Sequence, residues 1–358
     1  MLAQNRTPFA ALGFEQKHRD GADMAVLAVR GVFRLGPDGR LALASDQQLV
    51  LADEYEGDPH ATPLLRVGDL IPFKPATDVT VLAEARAPGD EPRAGWEVGV
   101  RFGRVDHRLR VSGPRAWTAG ASGFSLGEAQ AALRVPVDYR FAAGGPILGD
   151  PDHDVDHKNP IGAGVIDARH TARDRSYPAP AVDSEAEPVG DAFARPEPQG
   201  LGPVPPWWMW RRRWTGTYDD AWLATRHPQL PADFDYRFYQ TAHPALVLPG
   251  YARGDEEVAL TGLTPGGALG FTLPGVAPWA LFQWVDGSRA SVRLHLDGVH
   301  LDVRDDPPWR LDLTWRAWVK MHVRVYRIEL FQGTTERTSI LPATDEQGAA
   351  VMKEEARA

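Results

Sequence analysis

The chain has 358 residues, 43% of them hydrophobic and 24% charged, a balance that excludes wholesale disorder and suits one large domain or two ordinary ones. A formal net charge of −9 argues against a nucleic-acid backbone as the main partner, because phosphate binding needs a basic surface. With no cysteine in the chain, disulfides, zinc–thiolate sites and cysteine nucleophiles are excluded together.

Glycine (35) and proline (31) are both abundant, which favours turns and short strands over long helices. Residues 1–9 lack the basic-then-apolar pattern of a secretory signal, and no apolar run approaches the roughly 20 residues that span a bilayer. The expectation is a soluble, cytoplasmic protein with no membrane partner. Met24 to Leu35 is apolar and β-branched, and Gly36-Pro37-Asp38-Gly39 turns it into Leu41-Ala42-Leu43, a hairpin signature. Val79, Val81 and Ala83 alternate within Asp78 to Ala87. Trp96, Val98, Val100 and Phe102 repeat at period two, and Leu109 and Val111 continue after a polar turn around Asp106, as in half-buried strands.

From Ala142 to Gly250 the chain is crowded with Pro, Gly, Asp and Trp, and the prolines between Tyr177 and Pro206 exclude central strands and helix interiors. A stretch this long without a period of its own is functional or disordered. The tryptophans Trp207, Trp208, Trp210, Trp214 and Trp222 favour an ordered, packed segment. One short helix is predicted from Tyr218 to Thr225, with Thr217 as its cap and Pro228 beyond its end. Strand patterns then return. Glu257 to Leu260 and Ala268 to Leu273 flank the turn Thr264-Pro265-Gly266-Gly267. Val292, Leu294 and Leu296 alternate, Asp297-Gly298 reads as a turn, and Val299, Leu301 and Val303 alternate again, the strongest hairpin signal in the chain. Leu311, Leu313 and Trp315, then Met321, Val323 and Val325, follow the same rule.

These patterns divide the chain into a strand-rich region (1–141), an irregular Pro/Gly/Trp-rich insert (142–250), a second strand-rich region (251–334) and a polar tail (335–358). The sequence leaves the two strand-rich regions as one compact domain or two. The expected fold is mainly β, with antiparallel sheets in a sandwich-like arrangement and few short helices.

Motifs that carry chemistry are scarce. Asp150-Pro151-Asp152-His153-Asp154-Val155-Asp156-His157 concentrates metal-ligand types, and a metal-dependent hydrolase built on Asp152, His153 and His157 is one reading. The calcium-loop template fails there: counted from Asp150, Val155 stands where glycine is needed and Ile161 where a bidentate glutamate belongs. A solvated acidic loop is the better reading. Gly120-Ala121-Ser122-Gly123-Phe124 lacks the last glycine of a nucleophile elbow, no phosphate-cradling loop exists, and His107, His170 and His295 read as structural. No catalytic residue, metal or cofactor is therefore expected. The most unusual run is Trp207-Trp208-Met209-Trp210-Arg211-Arg212-Arg213-Trp214. Trp and Arg are the residues most enriched where partners bind, so Trp207, Trp208, Trp210, Arg211, Arg212, Arg213 and Trp214 form the candidate partner-binding site. The competing reading is a packed core beneath the insert. Exposed tryptophan faces also suit a carbohydrate-binding β-sandwich. Of 39 basic residues five are lysine, and 39 − 5 leaves 34 arginines, the cation better suited to interfaces.

A series of short motifs runs through most of the chain: Asp53-Glu54-Tyr55 with Gly57-Asp58, Gly68-Asp69-Leu70, Pro72-Phe73-Lys74-Pro75, Thr77-Asp78, and Gly113 with Arg115 and Trp117. It continues through Asn159-Pro160-Ile161-Gly162-Ala163-Gly164, Gly200, Gly202-Pro203, Trp208, Arg211, Gly216-Thr217-Tyr218-Asp219 and Trp222. It ends in Leu230-Pro231-Ala232-Asp233-Phe234-Asp235, Gly254-Asp255-Glu256 and Leu273-Pro274. In order and spacing this series resembles a bacterial family first known only as a domain of unknown function, whose members are associated with type VI secretion as effector adaptors and chaperones. Gly144-Gly145 and Ala242-His243-Pro244-Ala245-Leu246 depart from that pattern. The resemblance implies a non-catalytic protein that binds a cognate effector toxin and helps load it on the secretion spike or its PAAR-type tip. Its Gly, Pro and Asp positions are those that set turns and caps. The acidic net charge favours a basic partner by electrostatic steering.

Overall fold

The computed structural model describes residues 1–120, 123–148, 154–167, 175–334 and 351–352. In chain order the framework strands are β1 (Leu2–Arg6), β2 (Ala10–Lys17), β3 (Asp23–Leu35), β4 (Leu41–Leu43), β5 (Asp78–Leu82), β6 (Gly95–Phe102), β7 (Val105–Ser112) and β8 (Val182–Ser184). After the insert come β9 (Glu257–Thr261), β10 (Ala268–Thr272), β11 (Trp279–Trp284), β12 (Arg289–Arg293), β13 (His295–Asp302), β14 (Trp309–Lys320), β15 (Val325–Phe331) and β16 (Val351–Met352). Among the described residues, helices are confined to α1 (Met209–Arg212), α2 (Asp220–Thr225) and short 3-10 turns. The fold is mainly β, as the alternating patterns require.

The first sheet runs β2-β3-β14-β13-β5, with β4 paired to the end of β3. Its central pair, β3 with β14, is antiparallel from Leu35 opposite Trp309 to Met24 opposite Lys320, so the first and last thirds of the chain share one sheet. Only β5 with β13 is parallel here. The second sheet runs β8-β7-β6-β9-β10 and the third β1-β15-β11-β12-β16. Odd-numbered residues of β3 and β14, among them Leu27, Val29, Leu311 and Leu313, meet Val98, Val100 and Leu260 of the second sheet and Phe282 and Ile328 of the third in one apolar core. This is the sandwich-like arrangement, driven by burial of one face from each sheet.

The hairpin of β3 and β4 forms as its turn residues dictate, with Gly39 at φ 78°. A Cβ at Gly39 would lie 2.3 Å from the carbonyl oxygen of Gly270, so this turn rests directly on β10. Elsewhere the local readings need correction. Asp297-Gly298 is no turn: β13 continues through it, with a bulge between Leu296 and Gly298 against β14. The bulge lets Leu296 and Val299 both enter the core while Asp297 goes to the opposite face, where Arg316 binds it. Val292 belongs to β12, which pairs with β11 instead. The turn of the β6–β7 hairpin lies at Gly103 and Arg104, not around Asp106, which is paired with Arg101. β14 runs to Lys320, and Met321 and Val323 fall in the turn before β15. β1 and β2, whose apolar alternation is weak, carry no readable signal.

Candidate functional site

One face of the first sheet is apolar. The other carries Arg30, Asp78, Thr80, Asp312, Thr314 and Arg316, all shut in beneath the loop before β5 and the insert, with His300 half-buried among them. Burial without pairing would be prohibitive, and the charges are paired throughout. Arg30 donates from Nε and Nη2 to the two oxygens of Asp69, at 2.8 Å each, and from Nη1 to Asp312 at 2.8 Å. Arg316 donates to Asp297 and lies 3.6 Å from Asp69. Lys74 Nζ donates to Asp78 at 2.8 Å, and the Lys74 amide donates to Asp297 at 3.2 Å. Asp78 in turn accepts from Gln240 Nε2 at 2.8 Å and from Thr241 Oγ at 2.9 Å, which ties the insert to the sheet. Burial pushes the Asp69 carboxyl up, yet Arg30 and Arg316 hold it below the ordinary carboxylate range. Burial wins at Asp297, whose carboxyl is raised despite Arg316 and Lys74. A cavity of about 30 Å³ remains among these groups, room for a water or two.

The motif residues Asp69, Lys74, Thr77 and Asp78 all belong to this layer, and Asn159 does similar work further on. Its Nδ2 donates to the carbonyls of Tyr139 and Ala143 at 2.8 and 3.0 Å, and a Cβ at Gly162 would lie 2.3 Å from that nitrogen. These positions maintain the fold.

The Trp/Arg run splits into an interior half and an outer half. Trp208 and Trp210 pack edge-on against Tyr139, with ring centres 5.1 and 5.9 Å apart, and Trp210 Nε1 donates to Glu197 at 3.1 Å. Trp207 is half-buried against Trp208 and His60. Arg211 is buried and donates from Nε to the carbonyl of Phe238 at 2.8 Å and from Nη1 to that of Val204 at 2.9 Å. It makes no ion pair among the described residues, and burial lowers its guanidinium to about 10. Arg212 and Arg213 are exposed and Trp214 is half-buried. The run therefore divides: Trp208, Trp210 and Arg211 are buried in the insert, and Arg212 and Arg213 are exposed beside the half-buried Trp214.

Two residues that the sequence did not single out complete this surface. Arg237 lies over the Trp214 ring at 3.6 Å from its centre, closer than Arg213 at 5.0 Å, and Gln240 borders the same groove. Both sit in or just after the 3-10 turn Tyr236–Tyr239, which Asp235 caps by accepting from the Arg237 amide. A charged residue beside aromatic neighbours, 23 positions beyond the tryptophan in the case of Arg237, gives no periodic signal. The helix α2 is capped by Asp219, whose side chain accepts from the Trp222 amide at 2.8 Å; Thr217 instead bonds to Asp233. Tyr218 and Leu223 are 53% and 59% exposed, extending the outer surface with apolar groups.

Of the acidic loop, Asp150 to His153 lies outside the described residues, as do Ala121, Ser122 and His170. The carbonyl of His157 accepts from the Met209 amide at 2.9 Å, and Asp156 lies 3.5 Å from Arg195. Among the described residues no group of three or more His, Asp or Glu side chains is placed to hold a metal ion, and no helix is long and apolar enough to cross a membrane. His107 stacks on His243, ring centres 4.6 Å apart, and His295 on Tyr251 at 4.1 Å.

Residues 20–316 match the model of a family described as an uncharacterized protein conserved in bacteria (DUF2169). The chain belongs to this family. The match covers the whole insert and most of both strand-rich regions, so the charged layer and the Trp/Arg run lie inside it. No curated protein and no solved structure matches the chain.

Proposed function

We propose that this DUF2169 protein is a non-catalytic adaptor or chaperone that holds a cognate effector toxin and helps load it on the type VI secretion spike. The observation that carries this reading is the outer surface of the insert. Met209, Arg212, Arg213, Tyr218 and Leu223 are exposed along one short stretch of chain, on a base fixed by Trp208, Trp210 and Arg211. Aromatic and arginine side chains held over a rigid base are the composition of binding hot spots. The resemblance of the motif series to the adaptor family supports the same reading. In it the protein acts in the cytoplasm of the producing cell. One surface engages the effector and another approaches the spike or its PAAR-type tip.

The test is co-expression with the toxin encoded beside this gene, followed by size-exclusion chromatography with light scattering. A stoichiometric complex in which the toxin is more soluble is the expected result. Two separate peaks, with the toxin still secreted from cells lacking this protein, would overturn the proposal.

A further inference from the structure

A groove of about 180 Å³ lies where the Trp/Arg run meets the segment after the 3-10 turn. Its floor is apolar, formed by Val204, Ala242, Pro244 and Val247, and its rim carries three guanidinium groups, those of Arg211, Arg213 and Arg237. No carboxylate lines it. Only Arg237 has a counter-ion among the described residues, Asp235 at 2.5 Å. The Arg213 side chain makes no hydrogen bond or ion pair there and lies 5.0 Å from the centre of the Trp214 ring. Arg211 is 6% exposed, and its Nη2 makes no hydrogen bond among the described residues. A chain of net charge −9 thus gathers three guanidinium groups around one apolar slot, and the exposed one, Arg213, has no ion-pair partner among the described residues.

We propose that this groove captures an acidic segment of the partner protein, an aspartate or glutamate beside an apolar side chain. The inference rests on the adaptor reading and names the chemistry of its partner. A carboxylate entering beside Arg213 supplies the ion-pair partner that this exposed side chain lacks among the described residues, and guanidinium groups bind carboxylates with two parallel hydrogen bonds. The adjacent apolar side chain covers Val204 and Val247, and the Trp214 ring closes one side. Overall acidity favours a basic partner at long range, but screening confines that preference to encounter, and the groove decides the bound contact.

The probe is a fluorescein-labelled, end-blocked peptide of alternating glutamate and leucine, with its glutamine and lysine counterparts, titrated against the full chain by fluorescence anisotropy. Saturable binding of the glutamate peptide alone is expected, weakened about tenfold or more by Arg213→Glu, the loss of one charge-assisted contact. Arg213 is exposed and unpaired, so an unchanged melting temperature is expected for that variant. Equal binding of the glutamine peptide, or no effect of Arg213→Glu, would overturn the proposal. So would displacement of the peptide by a thymidine oligonucleotide at lower concentration than by unlabelled peptide, which would assign the groove to phosphate. In the co-expression test, a complex that survives Arg213→Glu with Arg237→Gln rejects the groove and leaves the adaptor. Absence of any wild-type complex rejects the adaptor and leaves the peptide titration to judge the groove.

Discussion

Arg316 and Asp297 show what a single residue is worth on the covered face of the first sheet. Both are almost wholly buried, and among the described residues Arg316 is the only group that donates to Asp297 through a charged side chain. Replacing Arg316 with methionine keeps much of the volume but leaves buried Asp297 with the Lys74 amide and the more distant Lys74 charge as its support. Breaking such a pair costs about 3–5 kcal/mol, most of it the desolvation of the charge left behind. Urea unfolding of Arg316→Met is expected to show that loss. Arg316→Met combined with Asp297→Asn is expected to recover part of it, because the stranded charge is gone. If the double variant is as unstable as the single one, the pair does not carry the energy assigned to it.

Element by element, legibility followed the strength of the local pattern. Asp23–Leu35, Gly95–Phe102 and the hairpin of Glu257–Thr261 with Ala268–Thr272 were readable because their alternation and turn residues agree. Asp297-Gly298 misled because a bulge and a turn use the same residues, and only the long-range partner Arg316 decides between them. Arg30 and Asp312 stand inside apolar strands, a visible sign of a second buried face, yet their partner Asp69 lies in a loop no periodicity reaches. The Trp/Arg run was legible as unusual, but its division into anchor and surface depends on Tyr139 and Phe238 across the insert. One contact joins β7 to the insert with a measurable consequence. Burial lowers His107 from 6.5 to about 4 against the opposing pull of Asp106. Burial, with His107 beside it, lowers His243 from 6.5 to about 3. Both rings are therefore neutral in the folded protein while the unfolded chain takes up protons below about pH 6.5. Stability from this stack is complete above that pH and is lost as pH falls, by about 2 kcal/mol per ring between pH 7 and 5. Urea midpoints should fall over this window, and His107→Gln should flatten the fall. An equal slope in wild type and variant would mean the ring is protonated in the fold.

At the scale of the whole molecule, the pairing of β3 with β14 makes the two ends of the chain depend on each other. β14 lies between β3 and β13, and β13 in turn pairs with β5, so residues 1–250 keep β2, β3, β4 and β5 but lack the two strands that join β3 to β5. A fragment ending at residue 250 would expose the edge of β3 along its whole length and the apolar row Leu27, Val29 and Leu35, which Leu311, Leu313 and Trp315 otherwise help to cover. An unpaired apolar strand of that length is an aggregation template. Its native partner arrives late in synthesis, and such long-range pairing is slow to form. The loop before β5 would lose its seat as well, because Asp297 and Arg316 lie under Lys74 and Asp69. Residues 1–250 expressed alone are therefore expected in the insoluble fraction, and co-expression with residues 251–358 is expected to return them to solution as a complex. In the intact chain, unfolding followed by tryptophan fluorescence and by far-ultraviolet circular dichroism should give coincident transitions, since one core joins all three sheets. A soluble, cooperatively folding 1–250 fragment would show instead that the central pair of the sheet contributes little to the stability of the rest.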